Sequence, residues 1–268
     1  MRRWTLALAA ISLSALLIWG TVIEPRSLDI TEMRVNAIAP SVTSIAVISD
    51  LHLDGLGARE QKLLEILKKR QPDIVILLGD VVDSPDDLPE LARFLGALPA
   101  SRRLAVLGNR EYWGGIDRNA LLGVYAKYDV RLLINDCYEG IVGLDDATAG
   151  KPNLETALGK CRSDDPEVSP FLLLQHSPGF FEIAPSGKPQ FSLSLAGHTH
   201  GGQITLFDWA PWTPPGSGAF VAGNYATPFG ALYVTRGIGT SMIPLRIGAR
   251  SEVVFITTPC FLETELQP

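Results

Sequence analysis

Near the end of the chain, Ser194 to Gly202 reads SLAGHTHGG, with His198 and His200 one residue apart and glycine on both sides. The only other histidines are His52 in SDLHLDG and His176 in LLLQHSPG. One histidine says little, because a neutral imidazole serves equally well as an ordinary hydrogen-bonding group. The set says more. Asp50, His52, Asp80, Asn109, His176, His198 and His200 all stand just after short apolar runs. Their nitrogen and oxygen donors suit divalent Mn, Fe or Zn better than Ca or Mg. Seven donors are too many for one tetrahedral ion. They fit two ions about 3.5–4 Å apart that share a carboxylate, an arrangement that clamps the attacking and leaving oxygens of a phosphoryl displacement.

The runs that precede these donors must be the elements that position them. SIAVIS (44–49), DIVILLG (73–79), RLAVLG (103–108), FLLLQ (171–175), FSLSLAG (191–197), ALYVT (231–235) and EVVFIT (252–257) read as strands, most too apolar to have a wet face. AREQKLLEILKKR sets Leu63, Leu64 and Leu67 on one helical stripe, and DDLPELARFLGAL opens with the acids that suit a helix N-terminus. Strand, helix, strand at this spacing implies a parallel α/β sheet, whose strand ends line one edge where loops converge on a ligand. Glycines beside the donors, among them Gly79 and Gly108, let the backbone turn sharply off each strand. Residues 207–228, rich in Pro, Gly and aromatics, read as a long ordered loop over the top of the fold.

Composition bounds the function. The chain has 268 residues, 46% hydrophobic and 19% charged, with a net charge of -6. No Lys/Arg cluster is long enough to track a phosphate backbone, which excludes nucleic acid as an expected partner. Cys137, Cys161 and Cys260 are odd in number and widely spaced, so a fully paired disulfide framework is excluded and no CxxC motif exists. Trp4 to Ile23 carries no charge and approaches the ~20 residues that span hydrocarbon. Its exit, WGTVIEPRS, has Val22 and Ile23 where a cleavage site needs small residues, which favours an uncleaved anchor over a signal. Arg2 and Arg3 place the N-terminus in the cytoplasm and the body outside. The expected division is an anchor or signal segment over 1–30 and one catalytic domain over 31–268. Nothing in the sequence fixes the oligomeric state.

With these residues in view, the chain resembles the calcineurin-like metallophosphoesterases. The resemblance is carried, in the family's order, by DLH (Asp50, His52), GDVVD (Asp80, Asp83), GNRE (Gly108 to Glu111), QHSP (His176) and GHTHGG (197–202), within residues 44–257. It implies a sheet sandwich flanked by helices, αββα in layering. It also implies one divalent ion on Asp50, His52, Asp80 and His200 and a second on Asp80, Asn109, His176 and His198, with Asp80 bridging. Hydrolysis of a phosphorylated small molecule or lipid would follow from a water activated between two cations. The anchor and the segment TRGIGTSMIPLR further resemble a membrane-associated bacterial branch, which implies the inner membrane.

The motif departs from the common pattern at one position. Arg110 stands where most members carry a histidine, so Asn109 and Arg110 are the candidate catalytic pair beside the ions. A guanidinium stabilises charge but does not release a proton, so it favours leaving groups that depart as stable anions. The same variation resembles the UDP-2,3-diacylglucosamine hydrolases of lipid A synthesis, which cleave a lipid-bearing pyrophosphate. That reading implies a cytoplasmic domain, against the charge bias of the anchor. An exported phosphodiesterase of the cell envelope and a membrane protein with a relic metal site are the alternatives.

Overall fold

Each apolar run becomes a strand in the computed structural model, which describes residues 2–35, 44–99, 101–164, 169–183, 191–206 and 209–258. Helix α1 (Arg2–Ile18) continues through a π-helical turn (Trp19–Ile23) and a 3-10 turn (Glu24–Arg26) into β1 (Leu28–Arg34). Then follow β2 (Ser44–Ile48), α2 (Ala58–Arg70), β3 (Ile74–Leu78), α3 (Leu88–Ala97), β4 (Arg102–Val106), α4 (Asn109–Trp113), α5 (Arg118–Lys127) and β5 (Val130–Leu132). The second half contains β6 (Asp136–Tyr138), β7 (Ile141–Gly143), α6 (Leu154–Asp164), β8 (Leu172–Leu174), β9 (Phe191–Ala196), β10 (Gly223–Thr227), β11 (Gly230–Val234) and β12 (Ser251–Thr257).

Two six-stranded sheets result, ordered β1-β12-β2-β3-β4-β5 and β10-β11-β9-β8-β7-β6. Strands β2 to β5 are mutually parallel, as their helical crossovers require. Alternation along each strand explains why the runs are apolar on both faces. Ile45, Val47, Ile74 and Ile76 point between the sheets, where they meet Leu172, Leu174, Leu193 and Leu195. Ala46, Ile48, Val75 and Leu77 point outward onto Leu63 and Leu67 of α2 and Leu91, Phe94 and Leu95 of α3. On the far side, Val142, Leu173, Leu232 and Val234 pack with Phe181, Phe229 and the α6 residues Ala157 and Cys161. The layering is αββα, and each fully buried leucine or phenylalanine contributes about 1.5–3 kcal/mol.

The site is framed by two sheets, as the expected sandwich implies. The structure corrects two sequence readings. The stretch 207–228 is not loop throughout, because its end forms β10 and pairs antiparallel with β11. Alternation there is weak, since Gly223 and Asn224 open the strand and it lies at a sheet edge. Cys137 and Cys161 form a disulfide that ties β6 to α6; an odd cysteine count excludes complete pairing, not a single bridge. Cys260 lies outside the described residues. Leu28 to Ile30, on the anchor side of the expected division, belong to β1, which pairs with β12 along seven residues.

The N-terminal segment, Trp4–Arg26, is long and apolar enough to cross a membrane. Its end is fixed to the body. Gly20 is buried, and a Cβ there would stand 2.5 Å from Leu245 Cδ1 and 2.8 Å from Ile247 Cγ1. The Arg246 amide donates to Gly20 O at 2.9 Å.

Candidate metal centre

The seven donors come together where the C-terminal ends of β2, β3 and β4 face those of β8 and β9. Asp50 and His52 follow β2, Asp80 follows β3, Asn109 opens α4 after β4, His176 follows β8, and His198 and His200 follow β9. All are buried. Turning seven side chains inward from loops this short forces the backbone into unusual conformations. Asp50, His52, Asp80, His198 and His200 all have positive φ, between 44° and 68°. Residues with a Cβ rarely adopt that region, and such strain concentrates at functional sites. Gly79, at φ 85°, has no alternative, because a Cβ there would lie 2.5 Å from His176 Nδ1.

Two clusters form, Asp50 with His52 and His200, and Asp80 with His176 and His198, the donor atoms of each lying within 4.8 Å of one another. Hydrogen bonds at the far ring nitrogens set the tautomers. His52 Nδ1 donates to Asp83 Oδ1 at 2.8 Å, His176 Nδ1 to Leu78 O at 2.7 Å, and His198 Nε2 to Pro215 O at 2.9 Å. Each neutral ring therefore keeps a lone pair on the nitrogen that faces the centre. The carboxylates are held as firmly. Asp80 Oδ1 accepts from the Arg110 amide at 2.8 Å, while Asp50 accepts from Ser49 Oγ at 2.6 Å and from the His198 amide at 3.0 Å.

What remains at the centre is an accumulation of acceptors. Asp80 Oδ2 lies 3.3 Å from His176 Nε2 and 3.9 Å from His52 Nε2, and Asp50 Oδ1 lies 3.5 Å from His200 Nε2. His52 and His200 face each other through their Nε2 atoms at 3.1 Å. Lone pairs opposed to lone pairs and carboxylates are favourable only with cations between them. His176 Nε2 and Asn109 Oδ1 are buried without a hydrogen-bond partner, which is costly unless something else satisfies them. The geometry fits two divalent metal ions.

The electrostatics agree. Burial opposes charge on His52 and His176, but the Asp83 hydrogen bond and nearby carboxylates for His52, and the Asp80 and Asp50 carboxylates for His176, outweigh it and raise both pKa values. Burial, with the neighbouring His176, lowers that of His198; burial, with His52 and Arg246, lowers that of His200 further. Burial works to raise Asp80, yet His176 and His52 hold it well below the usual carboxylate range.

Two further residues support the site. The Glu111 carboxylate accepts from the amides of Gly108, Asp80 and Val81 at 2.8, 3.1 and 2.7 Å, clamping the β3 and β4 loops together. Burial and the Asp80 charge push it up to about 7, against the amides, which favour its charged form. Arg246 is fully buried and donates to the carbonyls of Arg236, Gly239, Ala249 and His200. Its place in GNRE hints at Glu111 only as an acid three residues into a turn, and Arg246 lies 46 residues from the carbonyl of His200.

The Calcineurin-like phosphoesterase family profile matches residues 43–202, the span that holds all seven donors. The chain belongs to this family. An uncharacterized metallophosphoesterase of Bacillus subtilis, YkuE, is 30% identical over 89% of this chain and 88% of its own length. A transmembrane protein with metallophosphoesterase domain from Danio rerio is 27% identical over 93% of the chain, which spans 61% of that longer relative. Among solved structures, a dimetal phosphatase from Danio rerio aligns with 81% of the chain and 99% of its own at 13% identity, with a TM-score of 0.43.

A cleft opens over the two clusters. It encloses about 270 Å³ and is lined by Asp80, Asn109, His198 and His200 below and by Arg110, Trp113, Trp212 and Met242 above. Arg110 points along its wall, donating to Ser241 Oγ at 2.6 Å with Nε 3.7 Å from Asp83 Oδ1.

Proposed function

We propose that this metal-dependent phosphoester hydrolase cleaves a phosphodiester or pyrophosphate of the cell envelope, with its catalytic domain outside the cytoplasm on an inner-membrane anchor. The observation that carries the chemistry is Arg110, a fixed cation in the wall of the cleft beside Asn109 and Asp80. Asp50, His52, Asp80 and His200 would hold one ion, and Asp80, Asn109, His176 and His198 the other, with Mn, Fe or Zn suited to the donors. Two such ions supply Lewis acidity toward the phosphoryl oxygens and lower the pKa of a bound water. The chain does the rest. Asp80 is oriented by the Arg110 amide so that its free oxygen serves both clusters. Arg110 is placed to stabilise negative charge developing on the leaving side but has no proton to give.

The location rests on the Cys137–Cys161 disulfide together with the Arg2–Arg3 charge bias, because disulfides persist in oxidising compartments and are rare in the cytosol. The second reading, UDP-2,3-diacylglucosamine hydrolysis in lipid A synthesis, is favoured by Arg110 and the anchor, but the disulfide weighs against the cytoplasmic face it requires. A relic site is disfavoured by the seven donors and their tautomer-setting partners.

The test is a series of phosphodiesters with leaving groups of rising pKa, run beside UDP-2,3-diacylglucosamine. Arg110→Ala should lower kcat by about 10²–10³, the usual value of one preorganised donor. Arg110→His should recover part of that and flatten the fall of rate with leaving-group pKa. Equal slopes for wild type and Arg110→His would remove the physical basis for a stable-anion leaving group.

A further inference from the structure

Large apolar side chains left in water are usually scattered. Here they are not. Among the described residues outside the N-terminal segment, nine large apolar side chains are exposed, and six of them are Trp113, Leu206, Trp209, Trp212, Met242 and Ile243. Trp113, Trp212 and Met242 form the lip of the metal cleft while remaining 58%, 54% and 80% exposed. Trp209 and Leu206, 65% and 64% exposed, exchange backbone hydrogen bonds with each other.

These residues are continuous with the base of the N-terminal helix. Gln203 donates to Ile243 O at 2.9 Å and accepts from the Ser241 amide at 2.9 Å, and the Thr205 amide donates to Ile247 O at 2.7 Å. Residues 203–206 and 241–247 are thereby one surface, which Trp209 joins through its backbone hydrogen bonds to Leu206, and Leu245 and Ile247 of that surface receive Gly20. Glu24 is buried beneath, accepting from Trp19 Nε1 at 2.7 Å, and β1 is paired to β12 directly afterward. The helix end is therefore clamped to the body beside the cleft rather than tethered by a loose linker.

We propose that the lip of the metal cleft is a membrane-contacting surface. Trp113, Trp209, Trp212, Met242 and Ile243 seat in the headgroup region of the bilayer that holds Trp4–Arg26, so the substrate is a phosphorylated amphiphile cleaved while its acyl part stays in the bilayer. Tryptophan at this depth keeps its ring in an apolar layer and its N–H in a wet one, which is why it collects at membrane interfaces. A rigid anchor beside the lip fixes the cleft's height, so the exposed apolar side chains meet lipid instead of water. The substrate half of the proposal rests on the metal cleft being the hydrolytic site; the surface half does not.

The experiment uses the full chain in vesicles of phosphatidylethanolamine and phosphatidylglycerol, with Trp4→Phe and Trp19→Phe leaving the lip tryptophans as the emitters. Lipids brominated at shallow acyl positions should quench that emission strongly. Emission unchanged by bromination would overturn the surface. Separately, Trp209→Ser with Ile243→Ser, neither in the lining of the cleft, should leave hydrolysis of soluble bis-nitrophenyl phosphate unchanged and slow hydrolysis of vesicle phosphatidylglycerol at least about tenfold, since taking even one large apolar side chain out of water is worth that much. Equal rates on the vesicle lipid for this variant and wild type would overturn the substrate half. An inactive wild type on both esters with strong quenching would instead contradict hydrolysis while leaving the surface standing.

Discussion

Asp80 has one carboxylate oxygen pinned by the Arg110 amide and the other turned to His176 and His52, so both clusters meet in it. Asp83 touches only the outer nitrogen of His52 and approaches Arg110, and it is partly open to solvent. Asp83→Ala should therefore cost about 10–100-fold in activity, the usual effect of losing a group that orients a ligand, and Asp80→Ala considerably more. Comparable losses in kcat/KM for the two variants would contradict the bridging role. The donors were legible because histidine, aspartate and asparagine placed after apolar runs have few other reasons to be there. Their left-handed φ values were foreshadowed only by the adjoining glycines. Arg246 was not legible, since five carbonyls, of His200, of Arg236, Gly237 and Gly239, and of Ala249, define its cage and no local pattern encodes that.

The elements that carry the site were the readable ones. β2 and β3 are apolar on both faces because one face meets the other sheet and one meets helices, and that burial writes itself into the sequence as unbroken hydrophobic runs. The three-residue strands β5, β6 and β7 are too short to show a period, and β10 at its sheet edge needs little apolar content. The Cys137–Cys161 bridge was equally hidden, since its partners meet only once β6 lies against α6. Closing a loop of this length should contribute roughly 3 kcal/mol through the unfolded chain. Cys161→Ser should lower unfolding stability by that order in denaturant titration, and acid-trapped cells should yield the wild-type pair unreactive to maleimide. A free thiol pair in cells, or an unchanged unfolding midpoint, would contradict both the bridge and the oxidising location drawn from it.

At the scale of the whole molecule, two sheets close on each other and leave a charged centre that is complete only with cations. In the metal-free fold, nearby carboxylates raise His52 and His176, so protons occupy positions that metal must take. The sign follows from linkage. A histidine raised on folding gives stability that is complete below its unfolded value of about 6.5 and lost as pH rises through the folded one. Metal replaces that lost contribution and meets less proton competition, so the gain in Tm on adding Mn should be larger near about pH 8 than near about pH 6. A gain that shrinks with rising pH would contradict ligation by these histidines. The most direct test of the dinuclear centre is elemental analysis of the protein after loading with Mn and removal of free metal. Two ions per chain are expected in wild type and fewer than one in Asp80→Ala, which lacks the shared carboxylate. One ion per chain in wild type, or two retained in Asp80→Ala, would contradict the account.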